Sequence, residues 1–272
     1  MNEEKMVSAK DGTKLRLRKD VVENPKALVV ISHGLCEHLN RYDYFTKKLN
    51  ESGYSVYRYD QRGHGKSEGK KVFFSDFNQM PDDTDVFINI AREENNRKKV
   101  FLFGHSMGGE TAALYGTKYP GKTDGIIMSG ALTHYNNPLM GDQLPMKAPV
   151  DTYVPNALGD GVCSDPKVIE AYINDPLVEK QISVGLINQI YEGVQWIKRN
   201  AVNFIDPVLI LHGANDGLVS VKDSLELYQE IKSKDKSLRI YANLFHEILN
   251  EPCKDEIIYD IVLWLNKHSE IA

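Results

Sequence analysis

Residues 100–109 read VFLFGHSMGG, an apolar segment that breaks abruptly into Gly-His-Ser-Met-Gly-Gly. The apolar part is typical of a buried strand, and the residues that follow have the spacing of a helix. Ser106 is therefore predicted at the apex of a sharp turn, in a G-x-S-x-G pentapeptide. Gly104 and Gly108 keep that turn free of side chains, and the N–H of Met107 is left at the start of the helix. The stretch predicts that Ser106 is a nucleophile, although glycine and serine are also common in ordinary turns.

Strands and helices alternate through most of the remaining chain. Continuous apolar strands that alternate with amphipathic helices are typical of a mostly parallel sheet with helices on both faces. Residues 1–22 add two short antiparallel strands around the turn Lys10-Asp11-Gly12. The other predicted strands are 27–32 (ALVVIS), 54–59, 125–129 (GIIMS), 207–211 (PVLIL) and 238–244. One further predicted helix ends near residue 52, and the others span 75–95, 221–233 and 255–268.

The alternation stops between residues 131 and 205. This segment contains no convincing buried strand, and it carries six prolines between short helical stretches. Most connections in compact domains have only about 4–6 residues. The clearest helix spans 179–199, where apolar residues form one stripe. We therefore predict a core made of residues 1–130 and 206–272, with residues 131–205 inserted as a helical cap over the strand ends.

Composition excludes several classes of protein. The chain has 272 residues and a net charge of −5, with no basic cluster, which argues against a nucleic-acid partner. It has no run of 18 apolar residues, which predicts no transmembrane helix, and its N-terminus lacks the apolar region of a secretory signal. The three cysteines show no close pairing, which is typical of free thiols in a reducing compartment. A cytoplasmic protein is expected.

A serine hydroxyl needs a histidine base that a carboxylate holds in place. In this fold the partners should follow the serine in the order acid, then histidine, in loops at the carboxyl ends of strands. His246 follows the last predicted strand and Asp216 follows the strand before it, so they are the predicted base and acid. His212 precedes the acid and is expected to hold that loop by hydrogen bonding. The weaker candidates are His134, His268, Asp206 and Asp223.

A tetrahedral oxyanion needs two N–H donors near the serine. The backbone N–H groups of Met107 and Leu35 are the predicted donors, the latter in the loop after ALVVIS. Alternatively, His33-Gly34 in that loop only ends a strand. No cofactor or metal is predicted, because Glu110 stands where a phosphate-binding loop needs lysine and the sequence HEILN lacks the second histidine of a zinc motif.

Four segments carry a resemblance to the monoacylglycerol lipase and lysophospholipase branch of the α/β-hydrolase superfamily. They are HGLCEHLNRY (33–42), DQRGHGKSEG (60–69), GHSMGG (104–109) and DPLV (175–178), together with the Asp216 and His246 loops. The resemblance implies the α/β-hydrolase fold and an acyl-enzyme mechanism. In it Ser106 attacks the ester carbonyl, His246 takes the proton, Asp216 fixes the tautomer, and Leu35 and Met107 bind the oxyanion.

The resemblance also implies that Glu37 and Arg41 lie beside the oxyanion loop, and we expect a bulky modification of Cys36 to impair activity. The expected substrate is a small-molecule ester, such as a monoglyceride or lysophospholipid, reached with transient contact between the cap and a membrane surface. An aryl or feruloyl esterase, a serine aminopeptidase and a non-catalytic binding module remain alternatives. The sequence leaves the oligomeric state open.

Overall fold

The central feature is an eight-stranded sheet with the order β1-β2-β4-β3-β5-β6-β9-β10. The computed structural model describes residues 2–157, 159 and 161–270. The strands in that part of the chain are β1 (Asn2–Ser8), β2 (Lys14–Asp20), β3 (Leu28–Ser32), β4 (Ser55–Tyr59), β5 (Val100–His105), β6 (Gly125–Ser129), β7 (Tyr153–Pro155), β8 (Gln181–Ser183), β9 (Val208–Gly213) and β10 (Lys236–Tyr241). From β4 to β10 all neighbours in the sheet are parallel, whereas β2 pairs antiparallel with both β1 and β4.

Helices cover both faces of this sheet. They are α1 (Asp43–Glu51), α2 (Gln79–Glu94), α3 (Met107–Lys118), α4 (Pro166–Asn174), α5 (Val184–Asn200), α6 (Val221–Glu230) and α7 (Lys254–Ser269). Phe45 of α1 and Ile261 of α7 belong to one buried apolar cluster, while Phe87 of α2, Ala113 of α3 and Leu227 of α6 belong to another. The strands lie between the two clusters, and for this reason their sequences are continuous apolar runs.

Some element boundaries differ from those predicted. Helix α2 begins at Gln79 rather than 75, because the Gln79 side chain accepts the N–H groups of Ser75 and Asp76 and closes a turn. Strand β10 ends at Tyr241 rather than 244, and Asn243 has a positive φ of 63°. Helices α5 and α6 are also shorter at one end than predicted.

The segment 131–205 contributes helices α4 and α5 and a small antiparallel ribbon of β7 and β8. None of its described residues joins the eight-stranded sheet. The ribbon was not predicted, because its strands have three residues each and β7 is only partly buried. Helix α5 packs its apolar stripe onto α3, next to the turn that carries Ser106.

Candidate active site

Ser106 lies on the turn between β5 and α3. Its backbone has φ 57° and ψ −118°, a conformation that is strained for a residue with a side chain. A β-carbon at Gly104 would lie 2.1 Å from the Gly108 carbonyl oxygen, and one at Gly108 would lie 2.1 Å from the Ser32 carbonyl oxygen. Both glycines are therefore sterically required, and Ser106 is partly exposed among buried neighbours.

Asp216 and His246 form a hydrogen-bonded pair. Nδ1 of His246 lies 2.7 Å from Oδ2 of Asp216. The other carboxylate oxygen accepts the N–H groups of Leu218 at 2.8 Å and Val219 at 2.9 Å. Nε2 of His212 lies 3.0 Å from the Val219 carbonyl oxygen and 3.1 Å from Oδ2 of Asp216, so His212 holds the acid loop by hydrogen bonding, as expected.

The charges of these groups depend on one another. Burial on its own raises the pKa of Asp216, but His246 and His212 outweigh it and hold that pKa well below its usual range. Burial opposes protonation of His246, yet the Asp216 carboxylate raises the pKa of His246 above its usual value. Burial and the nearby His246 lower the pKa of His105 to about 4. His105 is therefore neutral near pH 7, and the pair consists of an ionised Asp216 and a titrating His246.

A single cavity is lined by Ser106, His246, Leu35 and Met107. Most of its other lining side chains are apolar, and most of these come from the segment 131–205. They are Leu132, Tyr135, Leu139, Met140, Val162, Tyr172, Ile190, Leu218 and Val219. The predicted nucleophile thus faces a mainly apolar chamber, which suits a hydrocarbon chain better than a charged group.

The two predicted N–H donors belong to residues that line this cavity, and neither has an acceptor within residues 2–157, 159 and 161–270. Gly34 donates its N–H to Oε1 of Glu37 at 2.5 Å. Leu35, in contrast, has no acceptor for its N–H within the part of the chain that the structure describes. Met107 is the first residue of α3, where a backbone N–H has no intrahelical acceptor.

Gly130, Glu247 and Ile190 are among the residues of the site that were not predicted from the sequence. Gly130 has φ 53°, and a β-carbon there would lie 3.0 Å from Nδ1 of His246 and 3.3 Å from Oδ2 of Asp216. Glu247 and Ile190 line the cavity. Gly130 directly follows a buried strand and Glu247 directly follows His246, which are the signals that could have found them. Of the predicted candidates, His134 pairs with Glu230 and His268 with Asp235, and neither lines the cavity.

Across residues 2–157, 159 and 161–270, no group of three or more side chains is arranged to hold a metal ion. In the same part of the chain, no helix has the length and apolar character needed to cross a membrane.

The strand order, the serine turn and the Asp216–His246 pair define an α/β-hydrolase. The chain belongs to the Hydrolase_4 family, described as serine aminopeptidase S33, whose model matches residues 23–253. These findings confirm the fold and the family resemblance expected from the sequence.

Two relatives and one solved structure cover most of the chain. A monoacylglycerol lipase of Mycolicibacterium smegmatis is 30% identical over 251 residues, which is 90% of each chain. The human monoglyceride lipase is 30% identical over 259 residues, 91% of this chain and 85% of that one. The crystal structure of a Paleococcus ferrophilus monoacylglycerol lipase superimposes with a TM-score of 0.81 at 31% identity, covering 93% of this chain and 99% of the other.

Proposed function

We propose that the protein is a serine hydrolase that cleaves the carboxylic ester of monoacyl lipids, such as a monoacylglycerol or a lysophospholipid. The observation that carries this proposal is the shared cavity, in which Ser106 and His246 face a mainly apolar wall. The similarity to monoacylglycerol lipases over about nine-tenths of the chain supports the same substrate class.

In the proposed reaction Ser106 Oγ attacks the ester carbonyl while Nε2 of His246 accepts its proton. Nδ1–H of His246 donates to Asp216, which leaves Nε2 as the basic nitrogen. The N–H groups of Leu35 and Met107 stabilise the oxyanion. Collapse of the intermediate expels the alcohol, which takes the proton from His246. Water then attacks the acyl-enzyme with His246 again acting as the base, and the fatty acid is released.

We propose that residues 131–205 form the cap of this enzyme, on residues 1–130 and 206–272 as the core. The cap supplies Tyr135, Tyr172 and Ile190 to the apolar wall. It also carries the exposed apolar side chains Leu139 and Ile173, which suit transient contact with a membrane surface. The three unpaired cysteines support a cytoplasmic location.

An aminopeptidase is the alternative that the family description raises. Such an enzyme needs a free carboxylate in the cavity to bind the amino terminus of a peptide. Among the described lining residues the carboxylates are Glu37 and Glu247, and both are paired with Arg41. This pairing favours the esterase.

The test is a comparison of hydrolysis rates on short-, medium- and long-chain monoacylglycerols, a lysophospholipid, a feruloyl ester and an amino-acid anilide. We expect a monoacyl lipid to be the best substrate and Ser106→Ala to abolish turnover. If the feruloyl ester or the anilide were hydrolysed fastest, the protein would instead be an aryl esterase or an aminopeptidase. Equal rates for wild type and the alanine variant would contradict the assignment of the nucleophile.

A further inference from the structure

Three charged side chains beside the cavity, Glu37, Arg41 and Glu247, form a buried cluster that we call the Arg41 bridge. Nη1 of Arg41 lies 2.6 Å from Oε2 of Glu37 and 2.6 Å from Oε1 of Glu247, and Nη2 lies 2.8 Å from Oε2 of Glu247. The side chains of Glu37, Arg41 and Glu247 are only 4%, 11% and 6% exposed. Removing one partner from such a cluster leaves an uncompensated buried charge, so the three groups act as a unit.

One end of the Arg41 bridge fixes the oxyanion loop, residues 33–38. Oε1 of Glu37 accepts the N–H of Gly34 at 2.5 Å and the hydroxyl of Tyr42 at 2.5 Å. The carboxylate therefore holds the His33–Gly34 peptide unit, which comes one unit before the one that carries the Leu35 N–H, a proposed oxyanion donor.

The other end fixes the histidine loop, residues 244–251. Glu247 directly follows His246, and its own N–H donates to the Val162 carbonyl oxygen at 2.6 Å. Oε2 of Glu247 also accepts the side-chain N–H of Asn250 at 2.8 Å. A displacement of the Glu247 carboxylate would therefore be transmitted to the backbone beside His246.

We propose that Arg41 is a positioning residue that fixes the oxyanion loop relative to the histidine loop and offsets part of the negative charge of the two carboxylates beside His246. The proposal rests on the proposed function, because it assigns Arg41 a role in the reaction at Ser106. The ring of Tyr172 lies over the guanidinium, with its centroid 4.9 Å from Cζ, so segment 131–205 covers the Arg41 bridge from above.

The charges around His246 give this role a measurable signature. The titratable groups with the largest effects on His246 are Asp216, Glu247 and Glu37, and His105 lies beside it. Burial lowers the pKa of His246, Asp216 raises it, and Glu247 and Glu37 raise it further. Loss of Arg41 would leave the last two carboxylates uncompensated and raise that pKa, whereas loss of the Glu247 charge would lower it.

The experiment compares Arg41→Met, Arg41→Lys and Glu247→Gln with wild type in kcat, KM and the acid limb of kcat/KM against pH. We expect Arg41→Met to lower kcat about 10- to 100-fold through misplaced loops, with a smaller change in KM. The acid limb of Arg41→Met should move to higher pH, and the acid limb of Glu247→Gln should move to lower pH. Each shift should be about 0.5 pH units or more. Arg41→Lys keeps the charge but not the three hydrogen bonds, so it should lose kcat without moving the limb.

Arg62→Met is the matched control. Arg62 also pairs with two carboxylates, Asp83 at 2.7 and 2.8 Å and Asp11 at 2.8 Å, and its side chain is 9% exposed. None of these three residues lines the cavity. The control should lose thermal stability without shifting the acid limb. If Arg41→Met does not fold, the kcat and acid limb of Glu247→Gln test the proposal, because this variant changes one charge and little volume.

The proposal would be overturned if Arg41→Met and Glu247→Gln both had the same kcat and the same acid limb as wild type. Failure of the proposed function would look different, because wild type itself would then not hydrolyse a monoacyl lipid. In that case an NMR titration of the His246 ring in wild type, Arg41→Met and Glu247→Gln tests the effect of the Arg41 bridge without substrate. Identical midpoints in the three proteins would overturn it.

Discussion

Gly130 lies against the ring of His246, so closely that a β-carbon at residue 130 would come within 3.0 Å of Nδ1 and 3.2 Å of Cε1. Gly130→Ala should therefore displace the imidazole or break its hydrogen bond to Asp216. We expect kcat to fall about 10- to 100-fold on a monoacylglycerol. Gly121→Ala is the control, since Gly121 also has a positive φ, 75°, but nothing lies within 4 Å of a β-carbon there. Gly121→Ala should lose about 1–2 kcal/mol of stability through backbone strain and keep its kcat. An unchanged kcat in Gly130→Ala would contradict the predicted clash with His246.

The Asp216–His246 hydrogen bond predicts a specific pH dependence. Burial opposes protonation of His246, but Asp216 raises the pKa of His246 above its usual value. The base must be neutral, so kcat/KM should fall as pH drops through that raised pKa.

Asp216→Asn should lower kcat by about 10³- to 10⁴-fold and move the remaining acid limb to lower pH. Asp206→Asn is the control, because Asp206 is buried against Gly121 and Thr123, away from the cavity. It should leave the acid limb in place. An acid limb that Asp216→Asn does not move would contradict the assignment of Asp216.

Glu110 should destabilise the fold at neutral pH. Its side chain is fully buried against Gly193 of α5, and neither carboxyl oxygen has a hydrogen-bond partner among the described residues. Burial raises the pKa of Glu110 well above 4.5. Above pH 4.5 the unfolded chain releases this proton while the folded chain keeps it, so stability falls as pH rises towards the folded-state pKa.

Glu110→Met should therefore raise the free energy of unfolding by about 1–3 kcal/mol at pH 7, with a smaller gain at pH 4. Denaturant unfolding at both pH values checks this. Glu251→Gln is the comparison, because the buried Glu251 carboxylate accepts hydrogen bonds from Ser164 and Phe245 and its change should destabilise. A lower free energy of unfolding for Glu110→Met than for wild type would contradict the prediction that the unpartnered Glu110 carboxyl destabilises the fold.

The cysteines should differ in reactivity. Cys36 and Cys163 are buried, and burial raises the pKa of Cys36 strongly and that of Cys163 to about 11. Cys253 is only partly buried. A disulfide reagent should therefore label one thiol rapidly in the native protein, and Cys253→Ser should abolish that rapid phase.

Labelling of Cys36 should need partial opening of the oxyanion loop, and a bulky group there should impair activity. Full activity after complete labelling of Cys36 would contradict this expectation.

The sequence predicts the sheet well because its strands are buried on both faces. ALVVIS and GIIMS can hardly be anything other than buried strands between turn residues, and their alternation with helices leaves few topologies. The proposed nucleophile, acid and base were chosen in the same way, since each follows the carboxyl end of a strand. Local composition and chain order were sufficient for the fold, and for the site they led to Asp216 and His246, which the structure places 2.7 Å apart.

The contacts that join distant parts of the chain could not be predicted. Arg41 and Glu247 are far apart in sequence, and nothing local indicates that they pair. Glu110 reads as an acidic residue in the first turn of a helix, where a carboxylate is usually solvated. Its burial depends on Gly193, which lets α5 approach α3. Such features depend on the packing of segment 131–205, where short elements and prolines leave little periodic signal.

The most direct test of the proposed nucleophile uses a fluorophosphonate that carries a long acyl-like chain, followed by intact-mass and peptide analysis. We expect wild type to gain one adduct, located on Ser106, with loss of monoacylglycerol hydrolysis in proportion to labelling. Ser106→Ala should gain no adduct and show no turnover. An adduct on another residue, or hydrolysis that persists in Ser106→Ala, would contradict the assignment of Ser106 as the nucleophile of a monoacyl ester hydrolase.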